Sequence, residues 1–294
     1  MSSSLFVTPQ WLAAHLADQD IQLLDARLAP GAAHRSRRAG APPGALRFDI
    51  DALSDHASPL PHMLPSAADF GAAMRALGVD SRRHLVIYDD GTLFSAPRAW
   101  WMLRAFGAQR VSLLAGGLAA WQRLGLPLRP AAQAITPQGH FPAQLDTRRL
   151  RSAAQVLDAL GDSHTQLIDA RAAARRGAAP EPRLGLRSGH IPGSHNLPWD
   201  SVVRDGALKT PEELRTLFRQ AGIDLQRPII ASCGSGVTAA VLLLALAALG
   251  IEETALYDGA WSEWGQTIRC PLRDNPAMLT RVSRSPPGHS PAAG

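Results

Sequence analysis

Cysteine is nearly absent from this chain, with only Cys233 and Cys270 in 294 residues. Two thiols cannot build a disulfide framework, so the fold must rest on packed cores, and the composition suits a reducing compartment. Long apolar runs are missing as well. The longest, Ala239 to Leu249, falls well short of the roughly 18 residues that span a bilayer. The start, Met-Ser-Ser-Ser-Leu-Phe-Val-Thr-Pro, has no basic segment leading into a long apolar one, so no secretory signal is read there and a cytoplasmic location is expected. The net charge of +5 comes from arginines that are scattered or fall in short clusters such as Arg35–Arg38 and Arg148–Arg151, without interleaved aromatics. Nucleic acid and membrane are therefore not expected as partners, and the mild positive field suits small anions.

What is present concentrates on one stretch. Ile229 to Ala239 reads Ile-Ile-Ala-Ser-Cys-Gly-Ser-Gly-Val-Thr-Ala, a short β-branched run into Cys233 followed by a loop and the apolar run. That order predicts a buried strand, a tight loop and a buried helix. Gly234 and Gly236 allow backbone conformations closed to other residues, so the amides of Gly234, Gly236, Val237 and Thr238 can turn inward around the sulfur. The partial positive charge of the helix start acts at the same point and favours the nucleophilic thiolate. A cysteine held only for packing has no use for two glycines and two hydroxyl residues, Ser235 and Thr238, beside it. A phosphatase loop also places Cys at a strand end, but it needs an arginine where Ala239 stands.

The string Cys-Gly-Ser-Gly-Val-Thr-Ala resembles the active loop of the two-domain rhodanese-type sulfurtransferases, and within that family the branch that uses 3-mercaptopyruvate. Relatives that prefer thiosulfate carry basic residues directly after the cysteine, where this chain has Gly234 and Ser235. The resemblance spans roughly residues 5 to 270. It implies an α/β fold of two tandem rhodanese-like domains, each a parallel sheet covered by helices on both faces.

An internal repeat leads to the same architecture from the residues themselves. Ile21 to Leu24 runs into Asp25-Ala26-Arg27, and Gln166-Leu167-Ile168 runs into Asp169-Ala170-Arg171, an offset of 144 residues. The strand Leu85 to Tyr88 reaches Asp89, which the same offset of 144 places at Cys233. Trp121 matches Trp264 at 143, so the first loop carries one extra residue between Asp89 and Phe106. Two long units with alternating strands and helical stretches argue for two copies of one α/β domain rather than a solenoid. The expected layout is a first copy over residues 5–129, a linker over 130–150, a catalytic copy over 151–272 and a disordered tail over 273–294. The first copy lacks the cysteine and would serve as a wall of the cleft.

Other site residues come from the resemblance. An Asp-x-Arg-x-x-x-Arg stretch followed by Glu-Pro-Arg corresponds here to Asp169 through Arg183, and implies that Arg175 and Arg183 hold the carboxylate and carbonyl of the donor. The register leaves Arg175 and Arg176 both open, with Arg175 preferred. The strings Phe48-Asp49-Ile50-Asp51 and Pro61-His62-Met63-Leu64-Pro65 imply a relay of Asp51, His62 and Ser235, in which a histidine oriented by a carboxylate polarises a hydroxyl. His190, in a Gly-His-Ile-Pro-Gly turn, is read as structural. The expected activity is transfer of sulfur from a small anionic donor, 3-mercaptopyruvate, through a Cys233 persulfide to cyanide or a thiol such as a thioredoxin-like protein. No cofactor or metal is required. The alternatives are thiosulfate as donor, or a non-catalytic sulfur carrier.

Overall fold

A computed structural model describes residues 4–28, 40–129, 138–162, 164–176, 181, 183–266 and 270–271. The Arg35–Arg38 cluster, most of the early linker and the tail beyond Pro271 lie outside the described residues. Two five-stranded sheets are present. The first contains β1 (Phe6–Val7), β2 (Ile21–Asp25), β3 (Leu46–Arg47), β4 (His84–Tyr88) and β5 (Val111–Leu114), in the order β1-β5-β4-β2-β3. The second contains β6 (Leu150–Arg151), β7 (Gln166–Asp169), β8 (His195–Asn196), β11 (Ile229–Ser232) and β12 (Thr254–Tyr257), in the matching order β6-β12-β11-β7-β8. Every pairing within both sheets is parallel. Between β8 and β11 a short hairpin, β9 (Val203–Arg204) and β10 (Ala207–Leu208), leans on the first domain, and a Cβ at its turn residue Gly206 would run into the Gly91 carbonyl.

The repeat extends to side chains. Gln22 donates to the Gly78 carbonyl and accepts from the Asp80 amide, both at 2.7 Å, and Gln166 does the same with Asp224 at 2.7 and 2.8 Å. The Asp25–Arg27 ion pair at 2.5 Å recurs as Asp169–Arg171 at 2.6 Å.

Each sheet is covered on both faces because its strands alternate between two apolar clusters. Along β4, Leu85 and Ile87 face one cluster while Val86 and Tyr88 face another. Helices α1 (Pro9–His15) and α4 (Gly117–Arg123) cover the second of these, through Leu12, Leu118 and Trp121. Helices α2 (Ala67–Ala76) and α3 (Ala96–Ala105) cover the first. Thr8 caps α1 by accepting the Trp11 amide at 3.1 Å, with Pro9 at the first helical position, as its sequence predicts. In the second domain α6 (Pro211–Gln220) and α7 (Ala239–Ala248) cover one face, and α5 (Ala153–Ala159) and α8 (Ala260–Trp264) the other.

The apolar character of α7 has a clear use. A helix without a polar face must be buried all round, and α7 lies between its own sheet and α3 of the first domain. One core cluster consequently runs from Phe48 and Phe70 through α3 and α7 to Ile168 and Leu256, joining the two domains. Truncating Leu242 or Leu244, both with no exposed surface, would cost about 2–5 kcal/mol. The described part of the expected linker also packs: Phe141 is buried beside Phe70 with ring centroids 5.6 Å apart, and the His140 carbonyl accepts the Ser81 amide at 2.9 Å. No helix among the described residues is long and apolar enough to cross a membrane.

Candidate active site

Cys233 follows the last residue of β11, at the carboxyl end of the second sheet where open α/β folds place their ligands. It is 2% exposed. The loop is anchored by its carbonyls. Those of Cys233 and Gly234 accept the amides of Trp261 and Ser262 at 3.0 and 2.9 Å, and the Gly236 carbonyl accepts Arg98 Nη1 at 3.4 Å. A trans peptide points its C=O and N–H in opposite directions, so these anchors turn the amides of Gly234, Ser235 and Val237 the other way. Among the described residues, nothing accepts a hydrogen bond from any amide between Gly234 and Thr238. Of the two glycines only Gly236 is left-handed, at φ 81°, and a Cβ there would stand 3.1 Å from both Arg98 Nη1 and Asp258 Oδ1. Gly234 needs no special φ, and a side chain there would meet the Arg183 guanidinium at 3.5 Å.

Ser235, His62 and Asp51 form a line across the domains. His62 Nδ1 lies 2.9 Å from Ser235 Oγ, and Nε2 lies 3.0 Å from Asp51 Oδ1. With the proton on Nε2 donated to the carboxylate, Nδ1 accepts from the serine hydroxyl. Burial holds the imidazole below its ordinary range, the pull of Asp51 opposes this, and the Arg98 charge adds to the lowering. A neutral histidine at pH 7 is the form this line requires.

The arginines differ in their anchoring. Arg183 Nη1 donates to the Gly234 carbonyl at 2.9 Å and to Ser262 Oγ at 2.8 Å, and Nε donates to Glu181 Oε1 at 2.8 Å. Its buried Nη2 has no hydrogen-bond partner among the described residues. Arg175 is only loosely held, 4.0 Å from Glu181, and lines the same cleft. Arg176 donates to the Ser194 carbonyl and does not line the cleft, whereas Arg175 does. His190 Nδ1 lies 2.9 Å from the Arg176 carbonyl, and the ring does not line the cleft.

The cleft has a volume of about 420 Å³ and gathers Cys233, Gly234, Ser235, Val237, Thr238, His62, Asp51, Arg175 and Arg183; Gly236 stands behind it, against Arg98 and Asp258. Leu28 and Phe94 of the first domain and Trp199 of the second add an apolar wall, with Phe94 and Trp199 edge to face at 5.6 Å. A larger cleft of about 840 Å³ lies beside Thr165, Ile229 and Thr254, at the amino ends of the second sheet's strands, away from the cysteine. Cys270 packs on the opposite face of that sheet, with Tyr257, Trp261 and Trp264.

Sequence reasoning missed Arg98, Asp258, Ser262 and the two aromatics of the wall, and it saw Glu181 only as part of a motif. Arg171 was seen only as part of a motif, and it lines the cleft with its guanidinium 4.1 Å from the Trp261 ring. The available signal was Arg98, set among Pro97, Ala99, Trp100 and Trp101 in the stretch Ala96–Ala105.

Comparison with known proteins agrees with this fold. The Rhodanese-like domain family matches residues 8–124 and again 152–267. The 3-mercaptopyruvate sulfurtransferase of Escherichia coli K12 is 53% identical over 92% of this chain and 99% of its own length. The mouse thiosulfate sulfurtransferase is 41% identical over 88% of this chain and 91% of its own. The crystal structure of the Escherichia coli 3-mercaptopyruvate sulfotransferase SseA superposes with a TM-score of 0.81 at 51% identity, covering 89% of this chain and 100% of that one.

Proposed function

The chain belongs to the rhodanese-like family, with two copies of its domain, and from that premise we propose that it is an enzyme that moves sulfur from 3-mercaptopyruvate through a persulfide on Cys233. The thiolate attacks the donor sulfur, and an S–S bond forms as the C–S bond breaks. The bonding pair departs on the methylene carbon and spreads onto the adjacent carbonyl as the enolate of pyruvate. Arg183 and Arg175 oppose the growing negative charge and hold the carboxylate. Ser235, sharing its hydroxyl proton with His62, delivers a proton to the carbon as it leaves and recovers one from the transferred sulfur. Pyruvate is released, and the outer sulfur remains as an anion among the loop amides. An acceptor thiolate or cyanide then attacks that outer sulfur, the S–S bond breaks, and the Cys233 thiolate returns. A small thioredoxin-like protein is the acceptor class proposed.

The observation that carries this reading is the Ser235–His62–Asp51 line beside Cys233. A carbon leaving group must be protonated, whereas thiosulfate leaves as sulfite and needs no proton. Thiosulfate is the second reading, favoured by the 41% identity to a thiosulfate sulfurtransferase. Turnover of both donors with cyanide as common acceptor decides between them. A higher kcat/KM for mercaptopyruvate supports the proposal, and a preference for thiosulfate removes it.

A further inference from the structure

Arg98, on α3 of the non-catalytic domain, has no exposed surface, does not line the cleft, and yet reaches three separate pieces of the site. Nη2 donates to the His62 carbonyl at 2.6 Å. Nη1 donates to the Gly236 carbonyl at 3.4 Å and is paired with Asp258 Oδ1 at 2.8 Å. Asp258 Oδ2 in turn accepts the Leu64 amide at 2.7 Å. The turn carrying His62 is therefore held at its own carbonyl by Arg98 and two residues later by the partner of Arg98. His62 is left-handed, at φ 61°, a conformation that a non-glycine residue keeps only when its surroundings hold it. Arginine reaches the two carbonyls from two separate nitrogens of one planar fork, whereas lysine has all its donors on a single nitrogen.

We propose that Arg98 is a positioning residue for sulfur transfer: by holding the His62 and Gly236 carbonyls it fixes the approach of His62 Nδ1 to the Ser235 hydroxyl, and through it the protonation of the leaving carbon. The proposal rests on the sulfur-transfer reading above. Electrostatics act in the same sense. The groups facing the imidazole are Asp51 from its own segment, Ser235 from the Cys233 loop and Arg98 from α3, with Asp258 behind Arg98. Burial is the largest influence keeping the ring neutral, and the Arg98 charge works with it against Asp51.

The test compares wild type, Arg98→Lys, Ser235→Ala and the double variant. Mercaptopyruvate is the donor and cyanide the acceptor, in steady state and by single-turnover persulfide formation read by intact mass, which follows rates too slow for steady state. Lysine keeps a cation for Asp258 but has no second arm for His62, and folding is checked by thermal unfolding. Arg98→Lys should lower kcat on the order of 10- to 100-fold, as misplacing a catalytic group does, with KM within about threefold. Added to Ser235→Ala, the same substitution should change the rate by less than about twofold, because the two act as one unit. Wild-type kcat in Arg98→Lys, or an equal loss in the Ser235→Ala background, overturns the proposal. A wild type inactive toward mercaptopyruvate would instead overturn the mercaptopyruvate reading on which the proposal rests. Should Arg98→Lys not fold, the same comparisons are made with Asp258→Asn, which keeps an acceptor for the Leu64 amide but loosens Arg98.

Discussion

Asp89 and Cys233 end equivalent central strands, β4 and β11, and each is followed by a loop and a helix that meets its counterpart at the domain interface. In the first loop the Asp89 carboxylate accepts the amides of Gly91, Ser95 and Ala96 at 2.9, 3.1 and 3.2 Å. The second loop has a small, buried thiol at that place, and its amides from Gly234 to Thr238 have no acceptor among the described residues. A strand, loop and helix of this kind presents amide hydrogens that need acceptors and suit an anion. One copy matches them with a fixed carboxylate and gains stability. The other leaves them open, and in the proposed mechanism they receive an anion that comes and goes, the outer sulfur of a persulfide.

The hardest blow to this contrast is Cys233→Asp, which makes the second loop a copy of the first. Sulfur transfer should be lost entirely, while the thermal midpoint stays level or rises as the new carboxylate takes up the open amides. An inactive variant that is also markedly destabilised would show that the two loops do not share one geometry. Cys270→Ser, on the far face of the sheet, should keep most of the activity.

Next in size are the arginines of the second copy that face its loop, Arg183 and Arg175. Arg183→Ala and Arg175→Ala should each lose on the order of 2–5 kcal/mol of transition-state stabilisation in kcat/KM for mercaptopyruvate. Arg176→Ala should lose little, since its guanidinium is engaged with Ser194. A sensitive Arg176 would mean that the donor lies elsewhere in the cleft.

On the other side of the comparison, Asp89→Ala should strand the buried amides of Ser95 and Ala96 and the part-buried one of Gly91, and lower stability by about 2–5 kcal/mol in chemical denaturation. Its kcat, measured well below the unfolding temperature, should stay within about threefold of wild type, because the effect is on the fold. A large loss of turnover in a folded protein would give the first loop a part in the chemistry.

The smallest effect is a shift in pH dependence. As His62 takes up a proton on acidification, Nδ1 no longer accepts from Ser235 and kcat/KM falls. Since burial lowers the imidazole pKa, this acid limb should lie below the ordinary histidine value of about 6.5. Asp51 raises that pKa, so Asp51→Asn should move the limb to still lower pH. A limb that moves upward would contradict the assigned contacts.

Much of this contrast is legible in the chain before any coordinates. The strand ends, the offset of 144 residues and the pairing of Asp89 with Cys233 follow from short-range pattern, because both copies repeat the same alternation and the same turns. The role of α7 follows from its lack of any polar residue. Arg98 and Asp258 escaped because they pair with each other across the two domains: an arginine in a helix reads as a solvated side chain until the packing of α3 on α7 closes over it. The glycines were only half understood. Gly236 is required by its φ and by crowding from Arg98 and Asp258, whereas Gly234 is not left-handed.

The measurement that bears most directly on the two loops is the intact mass of the wild type and of Cys233→Ser after treatment with mercaptopyruvate in the absence of acceptor, followed by peptide mapping. One added sulfur on the wild type, located on Cys233 and absent from Cys233→Ser, is the predicted result. A sulfur carried by Cys270, or retained by Cys233→Ser, would contradict the view that the open amides of the second loop are where the transferred sulfur rests.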